Sequence, residues 1–183
     1  MRGYFAVGVE GLSKPMNLGN LMRTAHAFGA HFLFTVAAHE RLAGRIPADT
    51  SKSQGQVPYY AWPNVEAMAL PAGCRLVGVE LIDDAIDLPS FGHPLQAAYV
   101  LGAERGSLSK PMLARCDYVV RIPTAFCINV ATAGAIVLYD RAKSLGRFPE
   151  RPLFDSAQAE ERPEHRHGGP KIRTNRPLPG WDY

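Results

Sequence analysis

Short runs rich in β-branched and aromatic residues alternate along this chain with helical stretches, and that alternation limits the fold more than any other feature. Residues 4–9, 32–36, 57–62, 75–79, 99–102 and 118–122 read as strands. Strands separated by helices join through crossovers rather than hairpins, which gives a mostly parallel sheet with helices on both faces: an α/β fold. The 183 residues suit one domain with a tail.

The first helix is expected over residues 17–28, with Asn17 as its N-cap and Gly29 in the left-handed position beyond its end. Leu18, Leu21, Ala25 and Phe28 recur at helical spacing and should face the sheet, leaving Asn17, Asn20, Arg23 and Thr24 on or near another face. Residues 64–70 and 110–114 read as short helices and 128–145 as a long final one. The start of that helix, Asn129-Val130-Ala131-Thr132-Ala133-Gly134-Ala135, has almost no bulk.

Composition excludes some classes. With 46% apolar and 20% charged residues the chain reads as globular. The apolar run near the start is cut short by Glu10, too early for a signal peptide, and no 18-residue apolar span follows, so a cytoplasmic protein without a membrane segment is expected. Cys74, Cys116 and Cys127 are odd in number and lack metal-ligand spacing, which predicts free thiols and no metal. A net charge of +3 is too mild to announce nucleic-acid binding by itself. From Pro149 the composition shifts to six prolines in 35 residues with few aliphatics, so residues 1–148 read as the domain and 149–183 as an extended tail.

Three patches carry chemistry. In Asn17-Leu18-Gly19-Asn20-Leu21-Met22-Arg23-Thr24-Ala25, a guanidinium suited to phosphate shares a helix start with two asparagines that can fix a phosphate or hold a sugar hydroxyl. Alone, it also reads as a cap and a surface arginine. In Val100-Leu101-Gly102-Ala103-Glu104-Arg105-Gly106-Ser107-Leu108-Ser109, glycines at a strand's C-terminal end let backbone approach a ligand. It lacks the dinucleotide fingerprint and can also be a turn with an exposed Glu-Arg pair. In Ile122-Pro123-Thr124-Ala125-Phe126-Cys127-Ile128-Asn129-Val130-Ala131, small residues admit another backbone or a flat ring, and Asn129 can cap the helix and present an amide. Packing alone can also explain the alanines.

Together, in order and spacing, these segments resemble the three signature motifs of the SpoU/TrmH family of RNA 2′-O-ribose methyltransferases within the SPOUT superfamily. The resemblance runs from Tyr4 to about Phe148. It implies a SPOUT-like fold with a C-terminal trefoil knot, a homodimer, RNA as partner, and S-adenosylmethionine as cofactor. It also implies catalytic places for Arg23, Asn17, Glu104 and Asn129, with Arg23 activating the ribose hydroxyl. The adenosyl cofactor would then lie against Leu101, Gly102, Glu104, Gly106, Ile122, Cys127, Ile128 and Ala131. The third motif departs from the family's pattern: its loop is about three residues shorter, and Cys127 stands where the family carries a serine. A thiol is a weaker hydrogen-bond donor than a hydroxyl.

Methylation of a base nitrogen, or a relative that binds RNA or cofactor without turnover, stays open at this point. With no separate RNA-binding module ahead of the domain, a tRNA-sized target is favoured over ribosomal RNA. Lys52, in the loop 50–56, can touch RNA phosphate or simply be solvated. In the tail, His165 and His167 are expected to face solvent, and Trp181 and Tyr183 to dock, stack on a base or stay unordered.

Overall fold

The computed structural model describes residues 3–42, 55–102 and 106–148. Seven strands are present among them: β1 (Phe5–Glu10), β2 (Phe32–Val36), β3 (Tyr59–Trp62), β4 (Arg75–Val79), β5 (Ile86–Asp87), β6 (Ala97–Leu101) and β7 (Tyr118–Arg121). They form one sheet in the order β3-β2-β1-β6-β4-β7-β5. Every neighbouring pair is parallel, for example Val7 against Leu33 on one side and Tyr99 on the other. Helices α1 (Pro15–Ala27), α2 (Lys110–Arg115) and α3 (Val130–Leu145) supply the cover.

A parallel sheet covered on both faces demands strands without a polar side, and β1, β2 and β6 are buried at every position. One face packs Val7, Val9 and Tyr99 against Leu18 and Leu21 of α1 and Val137 and Leu138 of α3. The other packs Ala6, Phe34 and Val100 against Met112 of α2. Each fully buried aliphatic side chain stabilises the fold by roughly 1.5–3 kcal/mol. The small residues opening α3 let it lie close on α1: a methyl group added at Gly134 would sit 2.5 Å from Leu21 Cδ1.

Two helical expectations need correction. Helix α1 begins at Pro15 after Lys14 rather than at Asn17, because the fixed φ of proline is preorganised for the first helical position, where its missing N–H costs no bond. Asn17 is therefore not the cap; it lies inside the first turn and is buried. Residues 64–70 form no helix: the Asn64 side chain takes the Ala67 amide at 2.8 Å, competing with helical pairing, and Pro71 follows closely. Strand β3 starts only after Pro58, and the two-residue β5 is too short to leave a sequence pattern. Gly29 does adopt positive φ (70°) after α1, and no described helix is long and apolar enough to cross a membrane.

Candidate active site

Because all the strands run the same way, their C-terminal ends share one rim of the sheet, where open α/β sheets place ligands. At that rim, β6 lies next to β4 and β4 next to β7. A cavity of about 410 Å³ opens among Val79, Leu101 and Ile122 at these three strand ends. Its far wall is the loop and helix start carrying Thr124, Cys127, Ile128, Val130 and Ala133. Apolar side chains therefore form most of the wall, and backbone at Gly102 and Gly106 forms part of the rest.

Two carboxylates fix Leu108 and Ser109, the residues that lead into α2. Glu10, buried at the end of β1, accepts from the Ser109 amide at 2.8 Å and from its hydroxyl at 2.6 Å. Ser109 in turn caps α2 by accepting from the Met112 amide at 3.2 Å. Glu80, directly after β4, accepts from the Leu108 amide at 2.7 Å and the Leu81 amide at 3.0 Å. A side chain at position 102 would block this second clasp, since a Cβ there would sit 2.8 Å from Glu80 Oε2.

The loop between β7 and α3 is braced from within. Thr124 Oγ1 donates to the carbonyls of Ile122 and Phe126, at 3.3 and 3.0 Å, and its amide donates to Ile122 at 2.8 Å. That bracing leaves Phe126 at 73% exposure and Cys127 exposed beside the cavity. Asn129 then caps α3, its Oδ1 accepting from the amides of Ala131 (2.9 Å) and Thr132 (3.4 Å). With its oxygen so committed, its Nδ2 donates to Asn17 Oδ1 at 3.1 Å, joining residues 112 apart in sequence.

The sequence-predicted residues thus divide. Leu101, Gly102, Gly106, Ile122, Cys127 and Ile128 line the cavity, and Asn17 meets Asn129. Ala131 does not line it; it is buried in the core, one residue past Val130. Arg23 is exposed on α1 and does not line the cavity. Glu104, Lys52 and the tail with His165, His167, Trp181 and Tyr183 lie outside the described residues. Val79, Glu80 and Leu81 were not anticipated. A carboxylate immediately after a strand was the available signal, but only the strand order puts β4 beside β6.

Residues 4–139 match the model of the SpoU rRNA Methylase family. The chain belongs to this family. Among curated SpoU relatives, a 23S rRNA (guanosine-2′-O-)-methyltransferase from Burkholderia is 32% identical over 147 residues, covering 75% of this chain and 58% of the relative. The tRNA (guanosine(18)-2′-O)-methyltransferase of Escherichia coli K12 is 27% identical over 139 residues, covering 73% and 61%. The chain therefore spans about three-fifths of the length of these relatives. The AdoMet-bound rRNA methyltransferase of Sinorhizobium meliloti shares the fold, with a TM-score of 0.70 at 24% identity over 79% of this chain and 58% of that one.

Proposed function

We propose that this SpoU-family chain is an RNA methyltransferase that transfers the methyl group of S-adenosylmethionine to a ribose 2′-hydroxyl. The observation that carries the reading is the Asn129 to Asn17 bond at 3.1 Å, which draws the first motif to the third beside a cavity that the second helps to line. The cavity fits the cofactor in kind: about 410 Å³ lies within the roughly 300–1,000 Å³ of small-molecule sites, and apolar walls with a few polar groups suit an adenine ring and a sugar.

When bound, S-adenosylmethionine supplies an electrophilic methyl on a sulfonium. Leu101, Gly102, Gly106, Ile122, Cys127 and Ile128 hold the adenosyl part, and the remaining work falls to positioning and charge. As the carbon–oxygen bond forms the carbon–sulfur bond would break, releasing S-adenosylhomocysteine, and the hydroxyl proton would pass to water, so a group that favours negative charge on that oxygen lowers the barrier. Arg23 takes this role by electrostatics, since a guanidinium stays charged far above neutrality. Asn17 and Asn129 fix the approach of the sugar, and Glu104 contributes a further polar contact.

The chain works as a homodimer, with the knot of the SPOUT fold formed by its C-terminal part. Arg23 sits on an exposed helix face shared with Met16, which is 75% exposed, and the packed helix α3 carries Tyr139 at 54% exposure. A second copy covering these surfaces would bring charge to a cleft that one chain leaves open. The Pro-rich segment 149–183 adds RNA or partner contacts, and the protein acts in the cytoplasm.

The relatives' names divide between ribosomal and transfer RNA. The test is to compare 2′-O-methyl marks in tRNA and rRNA from cells with and without the gene. Loss of one mark, restored by the intact chain and not by an Arg23→Ala variant, is the expected result, with tRNA examined first. An unchanged set of ribose marks together with a lost base methylation would overturn the ribose assignment.

A further inference from the structure

Glu80 is the only charged side chain among the described residues that line the cavity. Its position is built rather than incidental. It follows β4 directly, and each carboxylate oxygen is fixed by one backbone amide, Leu108 at 2.7 Å and Leu81 at 3.0 Å. Gly102, on the adjacent strand's end, leaves the space it occupies. Each carboxylate oxygen has two acceptor sites, so among the described residues one site per oxygen is left after these bonds.

Such a group is an acceptor awaiting two donors. Among the described residues no side chain donates to Glu80: the apolar wall residues and Gly102 have no donor, Thr124 spends its hydroxyl on Ile122 and Phe126, and Ser107 and Cys127, the other donors on the wall, are not bonded to it. Among the parts of an adenosyl ligand, the vicinal ribose hydroxyls present two donors side by side, and a carboxylate at a strand's C-terminal rim is a recurrent way to hold them. From this geometry, and resting on the methyltransferase reading above, we infer that Glu80 binds the 2′- and 3′-hydroxyls of the cofactor's ribose. The same side chain clasps Leu108, so the residues leading into α2 are held to the cofactor through one carboxylate. Glu80 is then a cofactor-binding residue and not a catalytic one.

The experiment is calorimetry on the full chain with four ligands: S-adenosylmethionine, S-adenosylhomocysteine, adenosine and 2′,3′-dideoxyadenosine. The wild-type chain should bind adenosine about 10- to 100-fold more tightly than its dideoxy analogue, the scale of hydrogen bonds to a charged acceptor. Glu80→Gln should erase most of that preference and weaken S-adenosylmethionine and S-adenosylhomocysteine alike. Gly102→Ala, which crowds the carboxylate while keeping it, should reduce the preference in the same direction and serves if Glu80→Gln fails to fold. A uniform loss that leaves the diol preference intact would reduce Glu80 to a loop clasp and overturn the inference. Loss of S-adenosylmethionine with S-adenosylhomocysteine retained would place the carboxylate at the sulfonium and overturn it too. If the wild type binds neither of those two ligands, the methyltransferase reading itself fails and takes this inference with it.

Discussion

Two arginines on the two helices that pack together have opposite surroundings. Arg141 in α3 is 1% exposed and donates to the carbonyls of Pro94 (2.5 Å) and Leu95 (2.8 Å) and to the Tyr99 hydroxyl (3.0 Å). Its guanidinium also lies 4.9 Å from the centre of the Phe5 ring. Arg23 in α1 is exposed and makes no hydrogen bond or ion pair among the described residues. A buried cation needs most of its donors met, and both terminal nitrogens of Arg141 are, though its buried Nε has no partner among the described residues; Arg141 therefore belongs to the architecture, tying α3 to the segment that enters β6. A cation left in water costs the fold nothing and is free to meet a ligand.

The sharpest break of that contrast is to remove each arginine in turn. Arg141→Ala should destabilise the fold by about 2–3 kcal/mol, because it empties a buried site beside Phe5 and Tyr99 and takes donors from the Tyr99 hydroxyl and two partly buried carbonyls. Urea unfolding measures this, and a loss under 1 kcal/mol would show that water replaces the guanidinium. Arg23→Ala should leave the urea midpoint unchanged yet lower turnover about 100- to 1,000-fold, the scale of one lost transition-state donor. Arg23→Lys should recover little, since a point charge replaces a planar fork. A variant that keeps full turnover would end the electrostatic role.

The asymmetry between these arginines was only half legible in the sequence. The first motif singled out Arg23 by its company, Asn17 and Asn20 on one helix start, whereas nothing local marked Arg141, whose partners lie more than 40 residues away. Strands announced themselves wherever the sheet buries both faces, as in residues 32–36, which are apolar but for one threonine, Thr35. The short β5 and the start of α1 did not, because a two-residue strand has no period and a proline outranked a good capping asparagine. The site followed the same division. Motif loops predicted much of the cavity wall, while Glu80 depended on strand order, a property of the assembled sheet.

Asn129 joins the two regions, since one side chain both caps α3 and reaches Asn17. Asn129→Ala should cost about 1 kcal/mol from the lost cap and a larger share of turnover. Asn129→Asp separates the two duties: a carboxylate still caps a helix N-terminus, but it cannot donate to Asn17 Oδ1. Stability near wild type with turnover well below it is the expected pair of results. Turnover as high as wild type would show that the Asn17 contact does not matter to the site.

The smallest effect concerns the neighbourhood of Arg141 and sharpens its architectural reading. His93 bonds Tyr99 through Nδ1 at 2.7 Å and Asp140 through Nε2 at 2.9 Å, with its side chain fully buried. Burial pushes its pKa below the usual 6.5, and the nearby Arg141 works in the same direction, while the bond and the charge of Asp140 oppose it. The unfolded chain therefore binds a proton at a higher pH than the folded one does. Stability from this group is fully present above the unfolded value, falls as pH drops below about 6.5, and levels off beneath the folded value. Urea melts between pH 7 and pH 5 should show that decline, and His93→Gln, which keeps polar partners without titrating, should flatten its share. A decline of the same slope in the variant would assign the pH dependence to other groups and leave the imidazole a passive spacer between Tyr99 and Asp140.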